Sequence, residues 1–128
     1  MKNGFTLVEL LAVIVILSII GLIVTPQVLS MIKHSEEASA IDSAYVYIEA
    51  LEKQNVMAVF DKKYPLYEKG TYKTGDIIVS VKGSYPTSGT IEVNHQYQVV
   101  KAELCMEGYL IGYEMNSKTK TLGKCDNK

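Results

Sequence analysis

The sequence predicts an α+β fold: one long N-terminal helix packed on a small antiparallel sheet of three to four strands. Three observations predict it. First, twelve of the fifteen residues from Leu10 to Val24 are Leu, Ile or Val. Second, apolar residues then recur at spacings of three and four, with one five-residue step, through Ile41, Ala44, Tyr45, Ile48, Leu51, Val56 and Val59, the pattern of an amphipathic helix. Third, the last third of the chain alternates apolar and polar residues with period two, the pattern of half-buried strands.

The first element is apolar and long. Phe5 to Thr25 is 21 residues, which as a helix spans roughly 30 Å, one hydrocarbon thickness. Lys2 precedes it and favours a cytoplasmic N-terminus, although Lys33 on the far side partly opposes that vote. A cleaved secretory signal would end in a small-x-small site, and "TPQVLSMIKH" offers no such site. A plain signal anchor passes the same hydropathy test. Glu9 is the discordant residue. A carboxylate deep in hydrocarbon costs on the order of 2–3 kcal/mol, so such residues usually have a partner and a job. A Glu tolerated at the membrane edge is the bland alternative. Pro26 removes one helix hydrogen bond, and Gly21 five residues earlier adds freedom, so the helix is expected to kink or loosen between them.

Beyond Pro26 the amphipathic half carries Glu36, Glu37, Asp42, Glu49, Glu52 and Lys53 mostly on the side away from the apolar stripe. One helix from Phe5 to Val59 would be roughly 80 Å long. A globular domain of 128 residues has no use for that length, and a subunit that packs into a fibre does. Residues 60–75, "FDKKYPLYEKGTYKTG", hold Pro65, two glycines and three tyrosines and read as loop. Strands are expected at Ile77–Val81, Thr90–Val93, Tyr97–Met106 and Tyr109–Met115. In the third, Val100, Ala102, Leu104 and Met106 share one face. "KGSYPTSGT", "NHQ", Gly108 and "NSKTKT" supply the turns.

Composition excludes several classes of function. All thirteen basic residues are Lys, they are scattered among fourteen acids, and the net charge is −1. Such a surface gives the isolated subunit no basic stripe for strong nucleic-acid binding. No nucleophile elbow, phosphate loop, HExxH or CxxC occurs. His34 lies on the helix and His95 in a turn, with no ligand spacing to the cysteines, so neither a metal nor a cofactor is expected. The chain reads as a non-enzyme.

The wording of the N-terminus then identifies a family. Gly4, Phe5, "TLVE" and an unbroken apolar run resemble the class III leader of type IV pilins and pseudopilins, over Lys2 to about Pro26. The resemblance implies cleavage of the Gly4–Phe5 bond by a membrane prepilin peptidase and N-methylation of Phe5 by the same enzyme. It implies a charge pair between Glu9 and the Phe5 amine, either between neighbouring subunits or within one, since the two are i and i+4. Cleavage would create the ammonium, and methylation would keep it. In low dielectric that pair attracts strongly, and an unpaired charge is heavily penalised.

The chain would then divide into a leader at 1–4, a transmembrane and filament-core helix at 5–26, and a globular head at 27–128. The head would comprise the amphipathic helix 27–59, the loop 60–75 and the sheet with the C-terminal region, 76–128. Leu7, Leu10, Leu11, Ile14 and Leu17 would pack against neighbouring subunits in the filament core. The family also implies local melting of the helix at Gly21–Pro26. With the head outside the cell, Cys105 and Cys125, which enclose nineteen residues, are expected to form a disulfide that contributes about 3 kcal/mol. Free thiols are the alternative.

The implied product is a subunit of a surface filament for adhesion, motility or DNA uptake. It would be held in the cytoplasmic membrane, N-terminus inside, before an assembly ATPase and platform protein extract it. Its partners would be other pilin subunits, minor pilins among them. The small head with its late cysteine pair, and the segment "YPTSGTIEV", point to a Gram-positive pilin. The alternatives are a secretion or competence pseudopilin, and an anchored extracellular binding protein that never polymerises. Processing separates the last of these, because an anchor would keep Met1.

Overall fold

The computed structural model describes residues 4–126, so Met1, Lys2 and Asn3 of the expected leader lie outside the described residues. The element order is helix α1 (Leu7–Phe60), strand β1 (Gly70–Lys73), a single 3-10 turn (Thr74–Asp76), then β2 (Ser88–Val93), β3 (Val99–Met106), β4 (Tyr109–Glu114) and β5 (Lys120–Lys124). Compactness divides the chain into two units, Met1–Glu36 and Glu37–Lys128.

In the first unit the helix stands alone. Its Leu, Ile and Val side chains from Leu7 to Ile32 are exposed, and the segment is long and apolar enough to cross a membrane. Two of the hydroxyls in this stretch bond back to the helix backbone. Ser18 Oγ donates to the Ile14 carbonyl at 2.7 Å, and Thr25 Oγ1 donates to the Gly21 carbonyl. Turning back onto the i−4 carbonyl lets Ser and Thr sit in apolar surroundings. The helix runs unbroken through Pro26.

In the second unit the rest of α1 packs on an antiparallel five-stranded meander of order β1-β2-β3-β4-β5. Ala40, Ala44, Tyr47, Ile48 and Leu51 of the helix meet Ile91, Val93, Val99, Ala102, Leu104, Met106 and Ile111 of the sheet. The two alanines are fully buried. Tyr47 and Leu51 are the largest apolar side chains that the helix buries fully. The expected α+β class holds, with more strands than the sequence suggested.

Four local expectations are corrected. Residues 70–73, taken as loop, form edge strand β1, whose Gly70 pairs with Val93 and Lys73 with Thr90. Residues 120–124, at the end of the expected exit turn and beyond it, form the opposite edge, β5. Ile77–Val81 is not a strand. Its period-two burial is real, since Ile77 and Val79 are buried and Ile78 is exposed. Its backbone, however, bonds to side chains instead of a ladder: Ile78 N donates to Tyr67 Oη, Val81 N donates to Tyr85 Oη, and Gln54 Nε2 donates to the Ile78 carbonyl. In β3 the inward residue is Val99, not Val100. A bulge opposite Glu92 and Val93 skips Val100, which reverses the alternation at that point. Ala102, Leu104 and Met106 face inward as expected.

The helix face is also rotated from the expected stripe. Tyr45, Val56 and Val59 are exposed, whereas Tyr47, Gln54, Asn55 and Ala58 are buried. Tyr45 instead stacks edge-on against Tyr113 of β4 at 5.9 Å.

Candidate functional site

The N-terminus is the part of the chain with chemistry to explain. Gly4 and Phe5 precede the helix in non-helical backbone. Phe5 is 84% exposed and no neighbour lies within 4 Å of a side chain built at Gly4. The bond between them is therefore exposed. Only a glycine leaves that side of the bond this bare.

Two residues later the helix starts with a reciprocal cap. Leu10 N donates to the Thr6 carbonyl, the first intrahelical bond, which makes Thr6 the N-cap. Glu9 N donates to Thr6 Oγ1 at 3.2 Å, and Thr6 N donates back to Glu9 Oε2 at 3.4 Å. This is a capping box, Thr-x-x-Glu, and Phe5 and Leu10 occupy the positions of a hydrophobic staple around it. Glu9 also sits at the positive end of the helix dipole, where a carboxylate is favoured. Thr6 was missed by sequence reasoning, although its signal was present: the T-x-x-E spacing directly before an apolar run. Glu9 thus has a partner within its own chain, the Thr6 amide, and Phe5 N is an amide rather than an amine.

The remaining expected site residues lie apart from this end. Gly21 and Pro26 are within α1, with the Thr25 hydroxyl bonded to the Gly21 carbonyl between them. Cys105 and Cys125 are joined by a disulfide. Cys105 is buried in β3, while Cys125 follows β5. Because β4 lies between β3 and β5, the chain after Lys124 wraps the end of the β3–β4 hairpin to reach Cys105. Cys125 N donates to the Gly108 carbonyl on the way, and Thr87 Oγ1 donates to the Asp126 carbonyl beyond it. The C-terminal segment is clasped by one covalent link and these two hydrogen bonds. Among the described residues no three His, Cys, Asp or Glu side chains gather as metal ligands.

Comparison with known proteins bears on the N-terminal site alone. No curated protein and no solved structure matches the chain. One family model does match, that of the prokaryotic N-terminal methylation motif, over residues 1–25. It covers Gly4, Phe5, Thr6 and Glu9 and most of the apolar run, and it does not reach the second unit. The chain therefore carries at its N-terminus the methylation motif that is the class III prepilin leader of type IV pilins.

Proposed function

We propose that this protein is a structural subunit of a type IV pilus-like surface filament, serving adhesion, motility or DNA uptake. It is made as a membrane-held prepilin, cut after Gly4, N-methylated on Phe5 and polymerised through its apolar N-terminal helix. The observation that carries the reading is the conjunction at one end of the chain of the methylation motif and an apolar helix with no cover of its own. Such a surface is stable only in a bilayer or against other copies of itself, and a subunit that moves from one to the other needs no change in it.

Cleavage alters only the polar end. It turns the Phe5 amide into an ammonium next to a carboxylate that the capping box already holds in place. The ammonium of the same chain or of a neighbouring one can then pair with Glu9. In the membrane an unpaired Glu9 would oppose docking, and a paired one would favour a single register. Before assembly the apolar helix anchors the subunit in the cytoplasmic membrane with its N-terminus inside. The disulfide-clasped second unit lies outside, where such bonds persist.

The test is the intact mass and N-terminal sequence of the protein sheared from its native cells. The expected chain starts at N-methyl-Phe5 and is two hydrogens lighter for the disulfide. Gly4→Val is expected to keep the full-length mass, because a branched side chain then occupies the bare side of the scissile bond. A wild-type chain still starting at Met1 and confined to the membrane fraction would replace this reading with that of an anchored binding protein.

A further inference from the structure

Near its C-terminal end α1 carries large apolar side chains that stand in the open. Val46, Val56, Met57 and Phe60 are all exposed. Val56 and Met57, together with Tyr97, line a groove of about 580 Å³ that Glu49, Glu52 and Lys53 border. The groove is held in shape before anything enters it. Tyr97 sits in left-handed backbone at φ 63°, and its carbonyl accepts a hydrogen bond from Asn55 Nδ2. Two residues on, Val99 N donates to Glu52 Oε1 at 3.0 Å. The groove is shallow and open, and a surface ordered in advance loses little on binding.

On the same unit, Phe60 ends the helix at 87% exposure. It does not line the groove, so the chain does not fill its own pocket. Phe60 is followed by Asp61 and the chain's one adjacent lysine pair, Lys62-Lys63, all exposed. The knob thus has a net positive flank, and the groove a net negative border. We propose that the groove receives Phe60 of a second copy of this chain, with Lys62 and Lys63 of that copy against Glu49 and Glu52. Knob and groove are different patches, so the contact is heterologous. It repeats in one direction and builds an open array rather than a closed dimer. The proposal rests on the filament reading for its setting, and adds to it a contact outside the apolar N-terminal helix.

The test places a photo-crosslinking benzoylphenylalanine at Phe60 in the full chain, in its native cells. Illumination is expected to give a ladder of linked copies, with position 60 joined to peptides from residues 49–57 or 96–98. The same probe at Gln96 is expected to capture residues 60–63. Lys62→Glu with Lys63→Glu should lower the yield several-fold, and adding Glu49→Lys should restore part of it. Filaments visible by electron microscopy with position 60 joined elsewhere, or to nothing, would overturn the contact and leave the filament reading standing. A yield indifferent to charge reversal would also overturn it. Cells without filaments would sink the filament reading, yet a membrane-borne ladder through the groove would still support the contact, and no ladder there would overturn it.

Discussion

Two residues show how single polar groups set the behaviour of their surroundings. Asn55 is fully buried on α1. It accepts from Tyr67 N at 2.9 Å and donates to the carbonyls of Tyr67 and Tyr97 at 3.2 and 3.3 Å. One amide therefore satisfies three backbone groups from two separate loops. Asn55→Ala would leave a buried donor without an acceptor, and we expect it to cost about 2–3 kcal/mol, read as an earlier unfolding midpoint in urea for the detergent-solubilised full chain. A midpoint within error of wild type would mean the two loops are held by other contacts. Glu9 offers a sharper test, because it has two possible jobs. Glutamine completes a capping box as glutamate does, but carries no charge. If filament assembly needs the charge, Glu9→Gln and Glu9→Ala should impair it equally while leaving membrane insertion intact. If it needs only the cap, Glu9→Gln should assemble normally and Thr6→Val should fail with Glu9→Ala. Filament yield by shearing and membrane fractionation read both.

At the scale of elements, glycine placement decides where the sheet can form. Gly89 of β2 lies opposite Leu104 of β3 with φ +141°. A Cβ there would sit 2.1 Å from the Glu103 carbonyl oxygen and 3.0 Å from Leu104 Cα. Both are backbone atoms of a central strand and neither can yield. Gly89→Ala is expected to cost about 2 kcal/mol or more and to raise amide exchange along Ser88–Val93; unchanged exchange there would refute the account. Gly112→Ala meets only the side-chain end of Leu122, nearest at 2.8 Å, so it should be milder. The same scale explains what could be read in advance. The strands over 99–106 and 109–114 announced themselves by alternation, while β2 was expected only from Thr90. Glu107 and Gly108, both at positive φ, close β3 onto β4 in the two-residue turn that hairpins favour. Edge strands β1 and β5 announced nothing. Gly70-Thr71-Tyr72-Lys73 and Lys120-Thr121-Leu122-Gly123-Lys124 are short, glycine-bearing and ended by lysine, which is how edges avoid further pairing and also how they come to resemble loop. The rotated helix face has a similar cause. Gln54 and Asn55 are polar but point inward to serve loop backbones, so a stripe drawn through apolar residues alone, Tyr45, Val56 and Val59 included, runs off the core. The N-terminal site was legible because its meaning lies in consecutive residues, Gly4 to Glu9. The groove beside Tyr97 was not, because it joins residues some forty positions apart in the chain.

At the scale of the whole molecule, tyrosine sets an upper pH limit on the second unit. The chain has nine tyrosines, and Tyr47 and Tyr113 among them resist ionisation. Tyr47, 1% exposed in the core, is pushed up to about 12, first by burial and then by Tyr67 and Tyr85 nearby. Tyr113 is also raised, by burial first and then by the Glu52 carboxylate and Tyr45. The sign follows from proton counts. In the unfolded chain these phenols lose their protons near pH 10, whereas the folded chain keeps them, so above pH 10 the folded state binds more protons than the unfolded one. Stability is full below that pH and falls as pH rises through the window from 10 to about 12. Tyr47 alone contributes a slope of up to about 1.4 kcal/mol per pH unit. The expected result is that the tyrosinate absorbance of Tyr47 appears together with loss of the sheet signal in circular dichroism. Tyr47→Phe separates this from general alkaline damage. It keeps the ring and removes the ionisable group, so it should move the unfolding step to higher pH. An unfolding step unmoved by Tyr47→Phe would mean that another group limits the molecule at high pH.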